Sequence, residues 1–389
     1  MSLPLCSAAA QENVSELVIN SEAGVLMDAT TGTVLFEKNG DAVIPPASLT
    51  KLMTIHIALT EVAAGKASLD EIVDLPRQSW AANQLPGSSL MSLAAGHIVT
   101  LRELILGLAI PSGNDAAMAV GLRFAPTIEA FVEQMNLEAQ GFGLSNTLFV
   151  DPSGWSEHNL TTAKEFAYFC REYLKLHSET LGEYHSIRDF TYPKPENLPP
   201  AYRLRPNTLT KRNGNTLLGS FEGVDGLKTG FIPESGYNIA LTAERDQTRF
   251  IGIILGGTTT RSRDDDGRKL LAWGFEHFKT LRPVMEPLPP LRIWKGKEDS
   301  VDITTHETME FTVAAERGNN LRWETELADP VIAPLPANSL VGELILWDDI
   351  GELRRFPLLT TAEAERGGFF KRLWDGIRLF FRSLKNNTN

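Results

Sequence analysis

Four prolines fall within nine residues at Arg282-Pro-Val-Met-Glu-Pro-Leu-Pro-Pro290. A run with so many fixed φ angles and so few backbone donors can continue neither a helix nor a central strand. It must be a connection, and it divides the 389 residues into a long first part and a short second one. Length agrees, because single cores stop growing at about 250 to 300 residues. We expect a leader remnant at 1–22, a large first domain at 23–284, a small β-rich domain at 285–365 and a terminal amphipathic helix at 366–389.

Within the first part, residues 24–37 predict a hairpin with its turn at Ala29-Thr-Thr-Gly32. Pro45-Pro46 fixes an extended lead, after which Ala47 to Ala64 runs without a breaker and is apolar on most faces, as a helix buried in a domain centre would be. Further helices are expected at 101–108, 115–124, 128–140, 162–176 and 267–278, and strands at 237–243 and 250–255. The helix at 162 opens on a capping box, Thr162-x-x-Glu165. This is α/β (α+β) patterning, a sheet flanked by helices. From Leu291 to Leu359, short alternating runs such as Glu310-Phe-Thr-Val and Gly342-Glu-Leu-Ile-Leu-Trp indicate an all-β module.

With 42% hydrophobic and 22% charged residues, the chain can build a sizeable core, and its net charge of −12 excludes a domain-wide basic face for nucleic acid. Two cysteines, Cys6 and Cys170, make neither a disulfide framework nor a zinc site. No metal ligand set and no cofactor is expected. The first residues resemble the end of a secretory signal, with alanines spaced for Ala-x-Ala cleavage, which predicts export. A lipid-modified Cys6 is disfavoured by the bulky Leu5 before it.

Three short strings stand in order: Ser48-Leu-Thr-Lys51, Ser112-Gly-Asn114 and Lys228-Thr-Gly230. By average residue frequencies the first arises about once by chance in such a chain, and each of the others in roughly one chain in ten. Each alone reads as a helix start, a turn or a strand end; together they demand a common explanation. A serine hydroxyl is a poor nucleophile until a base takes its proton, and a spacing of three brings Lys51 onto the face of Ser48. To accept that proton the lysine must be neutral, which near pH 7 costs about 4 kcal/mol relative to an ordinary ammonium. Burial and the second ammonium of Lys228 both push that way, and the helix N-terminus favours charge developing on Ser48. Ser112 and Asn114 suit proton relay and a hold on a substrate amide. Lys228, Thr229 and Gly230 suit a strand that meets a substrate carboxylate and lets a peptide lie close.

The three strings resemble Ser-x-x-Lys, Ser-Asp-Asn and Lys-Thr-Gly, the signature of class A β-lactamases and penicillin-binding proteins, with Gly113 in place of the Asp. Over nearly its whole length the chain resembles the low-molecular-mass penicillin-binding proteins of the D-alanyl-D-alanine carboxypeptidase type, through Pro46-Ala-Ser-Leu-Thr-Lys-Leu-Met-Thr54, Ser112-Gly-Asn-Asp-Ala-Ala117, Val224-Asp-Gly-Leu-Lys-Thr-Gly230 and Ser235-Gly-Tyr-Asn238. The resemblance implies an antiparallel sheet flanked by helices, a small all-β domain and a terminal helix. It implies a hydrolase that removes the last D-alanine of a peptidoglycan pentapeptide through an acyl-enzyme on Ser48, inhibited by β-lactams. It also implies an oxyanion hole from the N–H groups of Ser48 and Phe231, the latter standing where many relatives have His, and a substrate role for Arg212 in the pair Arg212-Asn213.

Other readings are weaker. A β-lactamase would end after one domain, and its deacylating glutamate has no clear counterpart, Glu157 being read as a loop charge. A Ser-His-Asp hydrolase lacks Gly-x-Ser-x-Gly, and His56 reads as a core histidine. A non-enzymatic cell-wall peptide-binding protein with an inert serine remains as the third alternative. No stretch of 18 apolar residues spans a bilayer. In the tail, Phe369, Phe370, Leu373, Trp374, Ile377, Phe380, Phe381 and Leu384 share one arc, opposite Lys371, Arg372, Asp375, Arg378, Arg382 and Lys385. Residues 366–389 carry six basic and one acidic side chain, +5 within a chain of −12. That combination predicts a helix at 367–385 lying on an anionic membrane surface, on the periplasmic side of the bacterial inner membrane.

Overall fold

The computed structural model describes residues 16–204 and 206–386, so Cys6 and most of the expected leader lie outside the described residues. The chain divides into two compact units after Thr280.

The first unit is built on a five-stranded antiparallel sheet of β1 (Ala23–Asp28), β2 (Val34–Lys38), β5 (Val224–Ile232), β6 (Gly236–Arg245) and β7 (Thr248–Gly257), in the spatial order β2-β1-β7-β6-β5. A short hairpin of β3 (Asp189–Tyr192) and β4 (Leu209–Arg212) stands apart from it. Period-two alternation separates two cores. Val25, Met27, Ile251, Ile253 and Leu255 face α1 (Lys51–Ala63), α2 (Leu101–Ala109), α3 (Asn114–Phe124), α4 (Ile128–Gly141) and α5 (Ala163–Leu176). Leu26, Ile239, Leu241, Phe250 and Ile254 face Leu270 and Leu271 of α6 (Thr260–His277) on the other side. This is the expected antiparallel sheet flanked by helices.

Two element starts differ from expectation. The helix read from Ala47 is a 3-10 turn over Ala47–Thr50 that hands over to α1 at Lys51, so Ser48 stands one turn ahead of the α-helix. Helix α6 starts seven residues before position 267, because Thr259 caps it by accepting from Ser262 N at 3.0 Å. Its polar opening, Arg261 to Asp266, has no apolar period and is held by polar pairs. Arg263 bonds Asp264 at 2.6 Å, and Asp266 accepts from Ser21 N and Oγ, both at 2.7 Å. Ser21 and Ile19, at the end of the segment read as a leader, are buried in this unit.

The second unit holds a four-stranded antiparallel sheet in the order 303–304, 352–360, 340–347, 322–327. Leu344, Leu346, Phe356 and Leu358 form its buried centre. Helix α7 (Phe369–Asn386) lies on this module by its polar side. Buried Asp375 accepts from Lys295 N at 2.8 Å, Lys371 pairs with Asp299 at 2.8 Å, and Arg382 pairs with Asp329. The eight apolar side chains of its arc are all exposed, the reverse of an ordinary surface helix. Among the described residues no helix is long and apolar enough to cross a membrane.

Candidate active site

The 3-10 turn explains the first pair of residues. Side chains three apart eclipse in that geometry, and Lys51 Nζ lies 2.9 Å from Ser48 Oγ. The turn is fixed from three directions. Asn238 on β6 donates to Pro45 O at 3.0 Å while accepting from Gly256 N at 2.9 Å. Gly230 on β5 abuts the turn so closely that a Cβ there would stand 2.9 Å from both Pro46 O and Ser48 N. At Gly154, held at φ +76°, a Cβ would fall 1.8 Å from Ala47 O. Ala47 itself is in the left-handed region at φ +52°.

Lys51 is fully buried. Besides Ser48 Oγ, its Nζ contacts Asn114 Oδ1 at 2.8 Å and Ser153 O at 2.6 Å. Burial brings its pKa down to about 7 against the opposing pull of the Asp151 and Asp115 carboxylates. Asp151 is held by its neighbours. Burial works to raise it, but hydrogen bonds from Ser153, Ser156 and Asn159 outweigh that and hold it below the ordinary carboxylate range. Asp115 accepts from Met91 N and Ser92 N at 2.7 Å and from Leu93 N at 2.9 Å, which ties the segment beside the site to the first turn of α3.

Ser48, Ser112, Asn114, Thr229, Gly230 and Phe231 line one cleft of about 290 Å³. Ser112 sits at φ +61°, and its buried Oγ has no hydrogen-bond partner among the described residues, a donor and acceptor aimed at something not in the chain. Lys228 lies behind the cleft wall. Its Nζ donates to Thr229 O at 2.9 Å, and burial, then the charges of Lys51 and Arg263, push its pKa far down. β5 is an edge strand of the sheet, so its outer side is available to an extended peptide.

Arg212 is not brought to the cleft. It projects from β4 with its side chain 91% exposed, 3.6 Å from Asp189. The guanidinium that does line the cleft belongs to Arg263, buried beside Gly214, whose carbonyl it bonds at 3.2 Å. The sequence reading also missed Ser153, Asp151 and Asp115. An Asp-Pro-Ser-Gly string signals only a turn, and a backbone carbonyl has no signature of its own. Phe231 is half-exposed and packs on Tyr237 with ring centroids 4.4 Å apart. His56 bonds His177 at 3.0 Å in the core, both held down to about 4 chiefly by burial, and Glu157 is exposed outside the cleft lining. Neither lines the cleft that holds Ser48.

A family profile described as D-alanyl-D-alanine carboxypeptidase (Peptidase_S11) matches residues 9–259, and one described as the C-terminal domain of penicillin-binding protein 5 matches residues 286–366. The chain is 32% identical to the D-alanyl-D-alanine carboxypeptidase DacC of Escherichia coli, over 96% of this chain and 91% of that protein. It is 31% identical to DacF of Bacillus subtilis, over 92% and 89%. Among solved structures, penicillin-binding protein 5 of Haemophilus influenzae superposes with a TM-score of 0.77 at 28% identity, covering 91% of this chain and all of that one. Penicillin-binding protein D2 of Listeria monocytogenes, in an ampicillin-bound form, superposes with a TM-score of 0.57 at 32% identity, over 67% and 99%.

Proposed function

The chain belongs to the D-alanyl-D-alanine carboxypeptidase family, and on that premise we propose that it removes the terminal D-alanine of peptidoglycan stem peptides through an acyl-enzyme on Ser48, with Lys51 as the base. The observation that carries this reading is the buried amine 2.9 Å from Ser48 Oγ with a pKa of about 7. A neutral amine has two hydrogens and one lone pair. Asn114 Oδ1 and Ser153 O take the hydrogens, which leaves the lone pair for the Ser48 hydroxyl proton.

Ser48 Oγ then attacks the carbonyl carbon of the penultimate D-alanine, and its proton passes to Lys51. The N–H groups of Ser48 and Phe231 receive the oxyanion. As the C–N bond breaks, Ser112 Oγ relays the proton from Lys51 to the leaving amine, so D-alanine departs neutral at nitrogen and Lys51 returns to its basic form. Water, deprotonated by the same amine, hydrolyses the ester. Thr229 and Arg263 hold the terminal carboxylate, Arg263 taking the part expected of Arg212, and Lys228 acts from behind through its charge. β-Lactams enter by the same attack and stay as esters.

The exposed apolar arc of α7 and its basic flank support a peripheral seat on the periplasmic face of the inner membrane. Mass analysis of products from a synthetic pentapeptide ending in D-Ala-D-Ala tests the reaction. We expect the tetrapeptide and one D-alanine, with activity abolished by prior penicillin; cleavage at any other bond would overturn the proposal.

A further inference from the structure

An open cavity of about 430 Å³ lies beside the base of helix α7, and Lys295, Arg366 and Arg372 line it. We propose that this cavity is a binding site for the phosphodiester headgroup of an anionic phospholipid. The proposal rests on the membrane reading of α7 given above and adds to it a defined ligand pocket.

Three observations carry it. First, the cations around this helix fall into two groups. Lys371 and Arg382 pair with Asp299 and Asp329, and Lys297 pairs with Glu365. Among the described residues, the side chains of Lys295, Arg366 and Arg372 have no ion pair and no hydrogen bond. Second, Arg372 Nε is buried and without a partner. A guanidinium nitrogen withdrawn from water and left unbonded is unfavourable until an acceptor arrives. The nearest acid on the helix, Asp375, instead accepts from Lys295 N at 2.8 Å. Third, the pocket is continuous with an apolar surface. Phe369 and Leu373 share its lining with the three cations, and their side chains are 66% and 54% exposed.

The chemistry that fits is a tetrahedral oxyanion with several acceptor oxygens attached to hydrocarbon. Arg366 and Arg372 suit a phosphate geometrically, and Lys295 supplies a third point charge. A free phosphate would use the cations and leave the adjoining Phe369 and Leu373 in water; a phospholipid uses both, its acyl chains running along the exposed arc. The pocket is also held in register with the helix. Lys295, at φ +58°, accepts from Gly367 N at 2.8 Å through its carbonyl while its own N–H binds Asp375. A headgroup bound there would orient α7 in the interface plane.

The test uses the full chain and dihexanoyl phosphatidylglycerol below its micellar concentration, followed by Trp374 fluorescence and by calorimetry. We expect saturable binding that weakens about tenfold or more in Arg372→Gln and in Arg366→Gln. In Arg378→Gln, whose guanidinium lies over Trp374 and outside the cavity, it should change by less than about twofold. Arg366 precedes the helix, so its variant reports on the pocket even if Arg372→Gln perturbs α7. Equal binding of dihexanoyl phosphatidylcholine, competition by inorganic phosphate as effective as by the lipid, or unchanged affinity in both variants would each overturn the proposal. Flotation with phosphatidylcholine vesicles made anionic by oleate separates this failure from that of the underlying reading. If the chain floats with them yet shows no saturable lipid binding, the pocket is wrong and the membrane seat stands; if it floats with neither these nor phosphatidylglycerol vesicles, the membrane seat itself is wrong.

Discussion

The amine of Lys51 touches three oxygens, and in the proposed reaction its protonation decides what Ser48 can do. With a pKa brought to about 7 by burial, the ammonium dominates below that value and the basic amine above it. Acylation by a β-lactam should therefore rise about tenfold per pH unit up to roughly pH 7 and then level off. Stopped-flow acylation between pH 5 and 9 checks this, and a flat profile would assign the proton elsewhere. Lys51→Arg keeps a charge that does not leave near neutral pH, so acylation should fall by orders of magnitude, about 1,000-fold or more. At Ser112, Gly and Ala both delete the hydroxyl, but only Gly is at ease at φ +61°. Ser112→Gly should be more stable than Ser112→Ala by about 1 kcal/mol in thermal unfolding, with product release from the peptide slowed alike in both. At this scale the sequence was most legible where chemistry demands side chains at fixed spacing, as in Ser48 and Lys51. It was least legible where the partner is a main-chain oxygen, as at Ser153, or where a polar run such as 261–266 hides a buried Arg263.

At the scale of elements, Ser48 owes its position to a turn clamped between a loop and an edge strand. Gly154 is the tightest point. A Cβ at that position meets Ala47 O at 1.8 Å, whereas one at Gly143, also at φ +76°, meets nothing within 4 Å. Gly154→Ala should lower stability by about 3 kcal/mol and abolish rapid acylation, while Gly143→Ala should cost about 1 kcal/mol and leave acylation intact. Equal effects in denaturant unfolding and in acylation would mean that the turn tolerates displacement. A helix with a strong apolar period, as α5, and a strand with an unbroken apolar run, as β7, were readable from the chain. The 3-10 entry to α1 was not, because Ala47 to Thr50 carries no residue that forbids an α-helix; its conformation is imposed by Gly230, Gly154 and Asn238, which are remote in sequence.

Over the whole molecule, the chain divides after Thr280, just ahead of the proline cluster at 283–290, and the tail carries an apolar arc facing basic residues. The sequence did not foretell that α7 rests on the β module by its charged side, since Asp299 and Asp329 lie in loops whose pairing has no local signal. Removal of residues 367–389 should release the protein from anionic vesicles while hydrolysis of a small soluble D-Ala-D-Ala peptide stays within about twofold of the intact chain. Loss of hydrolysis on truncation would make the helix part of the catalytic fold. The proposed chemistry turns on the ester at Ser48. Its most direct measurement is the intact mass of the wild-type chain and of Ser48→Ala after brief exposure to penicillin, followed by peptide mapping. We expect one penicilloyl adduct on the wild-type protein, located on the peptide that contains Ser48, and none on the folded variant; an adduct of equal yield on Ser48→Ala would assign the nucleophile elsewhere.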